Sequence, residues 1–166
     1  REMILKLNHD PGLKIWHDYG LASVATWSNS IGAFPTRNFR SGYFEAAEGI
    51  GHEAMRERIF LSPKACFGCP MACGKFVEVK ERGVRVEGPE YETIALIGSN
   101  CAFDRIEDVA YLNQVCDELG LDTISAGNAI AFAIECYRNG VITRADTEGL
   151  ELRFGDVEAF ATMAGR

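Results

Sequence analysis

The chain has 166 residues, of which 47% are hydrophobic and 25% charged, the balance of an ordinary globular domain. Its net charge of −7 argues against a nucleic-acid surface, because phosphate binding requires clustered Lys and Arg. The sequence has no run of about 18 apolar residues, so we expect no membrane span. The chain opens on Arg1 and mixes charges into its first apolar stretch, so we expect a segment of a longer protein without a secretory signal.

The first third of the chain predicts helices joined by one loop. Residues 1–31 are expected to be helical, with a break at Pro11-Gly12 and a short second helix over residues 23–31. A loop is expected over residues 32–42, which are rich in Gly and Pro. A helix is expected to follow over residues 46–59.

The middle of the chain predicts a small hairpin. Residues 75–80 alternate and are rich in β-branched side chains, and residues 84–87 mirror them across Glu81-Arg82-Gly83. Residues 91–98, which follow Gly88-Pro89, are expected to be helical.

The last third predicts three helices. Apolar residues recur at helical spacing between Ile106 and Leu119, and Gly120 follows as a C-cap. Thr123 or Ser125 is expected to cap the next helix, which ends at Asn139-Gly140, and a last helix is expected from about residue 156. The predicted fold class is therefore mainly α: a single multihelical domain over residues 1–166, with a small β-hairpin after the cysteine motif described next.

The strongest chemical signal is a C-x2-C-x3-C motif formed by Cys66, Cys69 and Cys73. Iron–sulfur clusters are held by thiolates at such short spacings. Gly68 permits a tight turn inside the motif, and Pro70 fixes the direction of the loop. Clustered cysteines in a chain without a signal peptide indicate a metal site in a reducing compartment, and the cytoplasm is the expected location.

Three clustered cysteines leave one corner of a four-iron cluster without a ligand. The fourth ligand could be Cys101, Cys116 or Cys136, or a residue outside this chain. Cys116 and Cys136 lie in helix-core patterns, which favours a residue outside. A zinc site is the alternative, but the chain has neither a second CxxC nor a His pair, and thiol-redox or inert cysteines are a third interpretation.

Several motifs together resemble those of the aldehyde:ferredoxin oxidoreductase family. They occur in the family's order over residues 34–140, and they are Phe34-Pro35-Thr36-Arg37-Asn38-Phe39, the cysteine motif, Val86-Glu87-Gly88-Pro89-Glu90-Tyr91-Glu92-Thr93, Gly98-Ser99-Asn100-Cys101 and Asp117-Glu118-Leu119-Gly120-Leu121-Asp122-Thr123. The resemblance implies the central helical domain of a longer chain. An N-terminal β-rich pterin-binding domain and a C-terminal helical domain would then lie outside it.

The resemblance also implies an activity and its cofactors. Family members hold tungsten, or sometimes molybdenum, between two pterins close to a 4Fe–4S cluster. They oxidise a small aldehyde to a carboxylic acid and pass electrons through the cluster to ferredoxin or a similar carrier. By this resemblance Cys66, Cys69 and Cys73 are cluster ligands, and the fourth ligand lies in the later domain, attached to a second D-x-x-G-L-C loop.

The resemblance also implies a pterin-binding loop. The residues that match it are Asp117, Leu121, Asp122 and Thr123. Without the resemblance, the same sequence would be interpreted as a helix C-cap with a solvated Asp.

The Glu90-Tyr91-Glu92 segment matches the stretch that places a Glu near the metal. Glu92 is the first candidate for the catalytic proton acceptor and Glu90 the second. Surface carboxylates are the alternative.

Two other functions stay open at this stage. One is a reductase of the same family that acts on another substrate, such as an aromatic acyl-CoA. The other is a noncatalytic iron–sulfur or zinc module that binds partners. The chain lacks the Glu-x-x-His pair of some family members, so we expect no interface iron of that kind, and the formation of a homo-oligomer stays open.

Overall fold

The computed structural model describes residues 2–166, and Arg1, which the predicted first helix included, lies outside them. Over the described residues the chain forms eight α-helices and one three-stranded antiparallel sheet. The predicted fold class, mainly α with a small β-hairpin after the cysteine motif, is confirmed. None of the helices in residues 2–166 is long and apolar enough to cross a membrane.

The N-terminal helices are short and separated by turns. Helix α1 spans Glu2–Asn8, a 3-10 turn spans Pro11–Leu13, α2 spans Lys14–Tyr19 and α3 spans Ser23–Ser30. The predicted break at Pro11-Gly12 is therefore present, because proline begins a helical turn more readily than it continues one. The carboxylate of Asp10 caps this turn by accepting from the Gly12 N–H at 2.8 Å.

The single helix predicted over residues 46–59 is wrong. A 3-10 turn covers Ala47–Gly49, and helix α4 begins only at His52 and ends at Arg58. The interruption has a packing cause, because a Cβ at Gly49 would lie 2.2 Å from the carbonyl oxygen of Asp104. Only glycine permits this close approach of two backbone segments. The next residue, Ile50, is fully buried.

The sheet has the strand order β1-β2-β3, with β1 at Phe60–Lys64, β2 at Gly74–Val79 and β3 at Val84–Glu87. Strands β2 and β3 are the predicted hairpin, and β1 was not predicted. Every residue of β1 is exposed, and Pro63 lies within it, which suits an edge strand. The inner face of the hairpin is buried and consists of Val77, Val79, Val84 and Val86.

A continuous helical segment follows the sheet. Helix α5 at Tyr91–Thr93 runs into a π-helical segment at Ile94–Gly98 and a 3-10 turn at Ser99–Cys101. The prediction of helix over residues 91–98 is confirmed, although most of the segment is π-helical. Ile94, Ala95 and Ile97 are fully buried, so this segment lies in the middle of the core.

Three helices complete the described chain: α6 at Ile106–Leu119, α7 at Thr123–Arg138 and α8 at Val157–Ala164. Gly120 ends α6 in the left-handed conformation with φ 68°, as predicted, and Asn139 is the C-cap of α7. The predicted N-cap of α7 was wrong. Asp122 caps this helix, because its backbone is extended and its carboxylate accepts from the Ser125 N–H at 2.8 Å, whereas Thr123 and Ser125 already lie inside the helix.

Helix α6 is the centre of the packing. Its residues Ile106, Val109, Leu112 and Cys116 are buried, and the helix contacts β3, the π-helical segment and α8. Helix α7 crosses the π-helical segment at Gly127, where a Cβ would lie 2.4 Å from the carbonyl oxygen of Leu96. This close contact fixes α7, and with it the turn between α6 and α7, against the segment that follows the sheet.

Candidate metal and cofactor site

The three motif cysteines lie on one loop, residues 65–73, which connects β1 to β2 and is called the cysteine loop below. The pairing of Lys64 with Gly74 closes this loop at its base. Cys66 and Cys69 are exposed and Cys73 is half-buried. The unpredicted strand β1 is therefore what turns the motif into a closed loop with two fixed ends.

The geometry inside the cysteine loop is a tight turn. The Cys69 N–H donates to the Cys66 carbonyl at 3.0 Å, and Gly68 between them has φ 71°. This is the turn predicted from Gly68, because a left-handed φ at the third position of a turn favours glycine. Ala72, the residue before Cys73, also adopts a positive φ of 49°.

The donor chemistry of the loop suits a thiolate-ligated cluster. All six cysteines are free thiols, so none of the three is used in a disulfide. A cavity of about 690 Å³ lies between the N-terminal residues 7–18 and the Cys69-Pro70-Met71 part of the loop. Within residues 2–166, however, no three His, Cys, Asp or Glu side chains are gathered closely enough to hold a metal ion. The assignment of the three cysteines as ligands thus stays a prediction.

The Glu90–Glu92 segment leaves the sheet at the same end as the cysteine loop. Strands β2 and β3 are antiparallel, so the residue that begins β2 and the residue that ends β3 lie side by side. The Gly88 N–H donates to the Lys75 carbonyl at 2.8 Å, which joins the two segments directly. The sheet therefore places the two motifs next to each other although they are far apart in sequence.

Glu90 and Glu92 are both half-buried at the beginning of α5. Glu90 is the N-cap residue and Glu92 lies in the first turn. Burial raises the pKa of Glu90 above its usual value, and the neighbouring charge of Glu92 raises it further, while Lys75 opposes both effects. A raised carboxylate pKa in a polar junction is a property of general acids and bases.

A partly buried polar network connects α5 to the turn between α6 and α7. The hydroxyls of Thr93 and Thr123 lie 2.9 Å apart, and the Thr93 hydroxyl donates to the Asn113 Oδ1 at 3.4 Å. The Asn113 amide donates to the Glu87 carbonyl and to the Asp117 carboxylate, both at 3.2 Å. Asn113 was not predicted as a site residue, because nothing in the sequence marks an Asn in the middle of an amphipathic helix.

The D-x-x-G-L-D sequence forms a Schellman turn at the end of α6. The Leu121 N–H donates to the Cys116 carbonyl at 2.8 Å and the Gly120 N–H to the Asp117 carbonyl at 3.2 Å. Partial burial raises the pKa of Asp117, and the charge of Glu87 adds to this effect. The predicted loop residues are thus gathered at one junction.

Not every residue of this loop has the same freedom to bind a ligand. The Asp122 carboxylate accepts from both the backbone and the hydroxyl of Ser125, which lowers the pKa of Asp122, so its side chain already serves as a helix cap. Leu121 and Asp122 also line an open cavity of about 290 Å³ between α7 and α8. Asp117 and Thr123 are instead joined through the polar network to Glu87 and Thr93, which flank the Glu90–Glu92 segment.

Comparison with known proteins matches the whole chain. The family model described as aldehyde ferredoxin oxidoreductase, domains 2 & 3, covers residues 1–166, and the chain therefore belongs to this family. It is 40% identical over 147 residues to a tungsten-containing aldehyde ferredoxin oxidoreductase of Thermococcus kodakarensis, covering 86% of this chain and 24% of that protein. It is 38% identical over 165 residues to the protein of the same name from Pyrococcus abyssi, covering 95% of this chain and 26% of that protein. The chain thus spans about a quarter of the length of these relatives.

A further relative has a different name. The chain is 30% identical over 164 residues to the aliphatic sulfonate oxidoreductase, WOR-like subunit, of Pyrococcus furiosus, covering 90% of this chain and 26% of that protein.

Proposed function

We propose that the whole protein oxidises aldehydes to carboxylic acids at a tungsten or molybdenum bis-pterin centre. Electrons would leave through a 4Fe–4S cluster to ferredoxin or a similar carrier. The observation that carries this proposal is the convergence of the cysteine loop and the Glu90–Glu92 segment at one end of the sheet. The names of the relatives support the tungsten centre and the substrate class.

We propose that Cys66, Cys69 and Cys73 hold three corners of the cluster. Their support is the free state of the thiols, the tight turn at Gly68 and the cavity beside Cys69. The fourth ligand is proposed to lie outside residues 1–166. These residues would then form one helical domain that works with the other domains of a longer protein, in a reducing compartment such as the cytoplasm.

The carboxylates of this chain would handle protons. Oxidation of an aldehyde with water yields a carboxylic acid, two protons and two electrons, and the metal–pterin group supplies the two-electron oxidation when it is bound. We propose Glu92 as the proton acceptor, with Glu90 as the alternative. Burial raises the pKa of Glu90 above its usual value and the charge of Glu92 raises it further, which supports a junction shared by two neighbouring carboxylates.

The turn between α6 and α7 would hold the pterin. Asp117 is the proposed acceptor for pterin N–H groups, and the Schellman turn presents the backbone of Leu121 beside it. The Thr123 hydroxyl would keep this turn in register with α5 through Thr93. Asp122 contributes to the same turn mainly as the cap of α7.

The test begins with the full-length protein purified without oxygen. Metal analysis is expected to find about four irons per chain together with tungsten or molybdenum, and EPR after dithionite reduction is expected to show a reduced cluster. Zinc alone would exclude the proposal. Iron without tungsten or molybdenum would leave an electron-transfer module instead of an aldehyde-oxidising enzyme.

Activity assays then test the carboxylates. Glu92→Gln is expected to lower kcat for aldehyde oxidation by about 10²–10⁴-fold, the usual contribution of a general base. Glu90→Gln would show this loss if the roles are reversed. Glu57→Gln, an exposed carboxylate on α4, is the matched control and should retain full activity. Retained activity in both Glu92→Gln and Glu90→Gln would contradict the assignment of the base.

One observation favours a second substrate class. The 30% identical relative named as an aliphatic sulfonate oxidoreductase shares most of this chain's length. The substrate panel should therefore contain an aliphatic sulfonate and an aromatic acyl-CoA beside several aldehydes. Turnover of one of these and of no aldehyde would retain the cofactors and replace the proposed substrate.

A further inference from the structure

Lys75 is a buried lysine at the base of the cysteine loop. It is the second residue of β2, it follows Cys73 by two positions, and it is only 4% exposed. Its Nζ donates to the carbonyl of Cys73 at 2.8 Å, to that of Ala72 at 3.1 Å and to that of Gly74 at 3.3 Å. An ammonium group has three N–H donors, so all three are used on consecutive carbonyls at the end of the loop.

The C-terminal end of helix α2 packs against the Lys75 ammonium and the Cys73 carbonyl. Gly20 follows α2 with φ 64°, and a Cβ at this position would lie 2.2 Å from the Cys73 carbonyl oxygen and 3.4 Å from the Lys75 Nζ. The absence of a side chain at Gly20 therefore lets the backbone cover the ammonium and the carbonyl that it binds. A charge covered in this way interacts more strongly with its neighbours than a charge in water does.

Packing does not explain why a lysine, rather than an apolar residue, is buried at position 75. A buried charge is costly unless it is partnered, and the Lys75 ammonium is partnered here by the three backbone carbonyls. Its neighbours Val77 and Val79 on the same strand are apolar and buried, so an apolar residue would suit the strand better.

We propose that Lys75 is a positioning residue for the cluster, which fixes the Cys73 end of the cysteine loop and places a permanent positive charge beside the cluster. This inference rests on the proposed function, because it requires a cluster on Cys66, Cys69 and Cys73. Net charge and hydrogen bonding around iron–sulfur clusters set their reduction potentials. An added electron makes the cluster more negative, so the Lys75 ammonium stabilises the reduced form.

The test is an EPR-monitored redox titration of the full-length protein purified without oxygen. Lys75→Met removes the charge and retains an unbranched side chain. We expect the ratio of reduced to oxidised cluster at a fixed potential to fall at least tenfold, which corresponds to a midpoint about 59 mV lower for one electron. Lys75→Arg retains the charge and should stay within threefold of the wild-type ratio.

Lys64→Met is the matched control. Lys64 also borders the loop, where it pairs with Gly74 across the sheet, but its side chain is 50% exposed and forms an ion pair with Glu87 at 3.3 Å. Water screens this charge, so its removal should change the ratio less than twofold. Equal shifts in Lys64→Met and Lys75→Met would overturn the proposal, as would an unchanged ratio in Lys75→Met.

If a variant does not assemble its cluster, its iron content is measured instead of the redox titration. Loss of iron in Lys75→Met and retention in Lys75→Arg would support a requirement for the charge. Loss in both variants would show that side-chain packing matters and would overturn the proposal. A wild-type protein without an iron–sulfur cluster would instead refute the proposed function, so the two failures are distinguishable.

Discussion

The cysteine loop and the core around α6 use the same residue type in opposite environments. Cys66 and Cys69 are exposed on a loop, whereas Cys101 and Cys116 are fully buried. Burial raises the pKa of Cys116 to about 11 and raises that of Cys101 as well. Because the thiolate is the metal-binding form, the core cysteines are poor ligands. The comparison therefore argues against Cys101 and Cys116 as the fourth cluster ligand.

The largest expected effect separates the two groups of cysteines directly. Cys69→Ser should remove most of the iron from the full-length protein and abolish the reduced-cluster EPR signal, since a cubane requires its thiolate corners. Cys116→Ala should retain the iron and lose only packing, about 1 kcal/mol of stability. Iron analysis of both variants is the measurement. Equal iron loss in Cys116→Ala would break the distinction.

The same two regions should differ in their tolerance of an added methyl group. Gly127→Ala forces a Cβ against the Leu96 carbonyl and should destabilise α7 by about 3 kcal/mol. A Cβ at Gly68 in the cysteine loop meets no atom within 4 Å, so Gly68→Ala should cost only about 1–2 kcal/mol through its positive φ.

Amide hydrogen exchange across α7 and β2 measures both changes. Gly165→Ala, at a residue with an ordinary negative φ and contacts no closer than 3.6 Å, is the control and should be neutral. A Gly127→Ala protein as stable as the control would contradict the close crossing of α7 and the π-helical segment.

Removing the centre of the polar network should reduce stability less than Gly127→Ala does. Asn113→Ala leaves the Glu87 carbonyl and the Asp117 carboxylate without their donor, which should cost about 1 kcal/mol because two part-buried hydrogen bonds are lost. Hydrogen exchange at the end of α6 is the measurement. Glu118→Ala, an exposed change on the same helix, should alter stability by no more than about 0.5 kcal/mol. Indistinguishable protection in the two variants would exclude Asn113 as a connector.

The smallest expected effect concerns the cap of α7 and depends on pH. Hydrogen bonds from Ser125 hold the pKa of Asp122 below its usual 3.8, so the folded state favours the carboxylate. The cap is therefore fully effective above pH about 4 and weakens as the pH falls through the lower folded pKa.

Protection of the first turn of α7 should be lower in Asp122→Ala than in the wild-type protein at neutral pH, and the difference should shrink in acid. Asp122→Asn retains a capping oxygen without a titrating group, so its protection should be nearly independent of pH. A pH-independent difference between Asp122→Ala and the wild-type protein would contradict the role of the carboxylate.

The parts of the fold that were predictable have a local cause. Helix α6 was predicted with its observed ends, because apolar spacing and Gly120 lie within its own sequence. The interruption at Gly49 was missed, since it depends on the distant backbone of Asp104. Strand β1 was missed because its residues are all exposed and show no alternation of apolar and polar side chains.

The residues of the candidate site also differ in whether the local sequence predicts them. The cysteines and the turn at Gly68 were evident from spacing, and the D-x-x-G-L-D turn was evident from its resemblance to the family. The roles of Lys75 and Asn113 were not, because each depends on contacts between segments that are separated in sequence. The position of a Lys in a strand or an Asn in a helix carries no local sign of burial.

The antiparallel register of β2 and β3 determines where the hairpin can accept an insertion. An insertion of one residue within β2 would turn the side chain of Lys75 to the other face of the sheet and shift the Glu90 segment relative to the cysteine loop. An insertion at the opposite end, in the turn around Glu81 and Gly83, would change neither relation. Natural variation in length within this hairpin should therefore accumulate at the turn, and the end that holds the cysteines should keep a constant spacing.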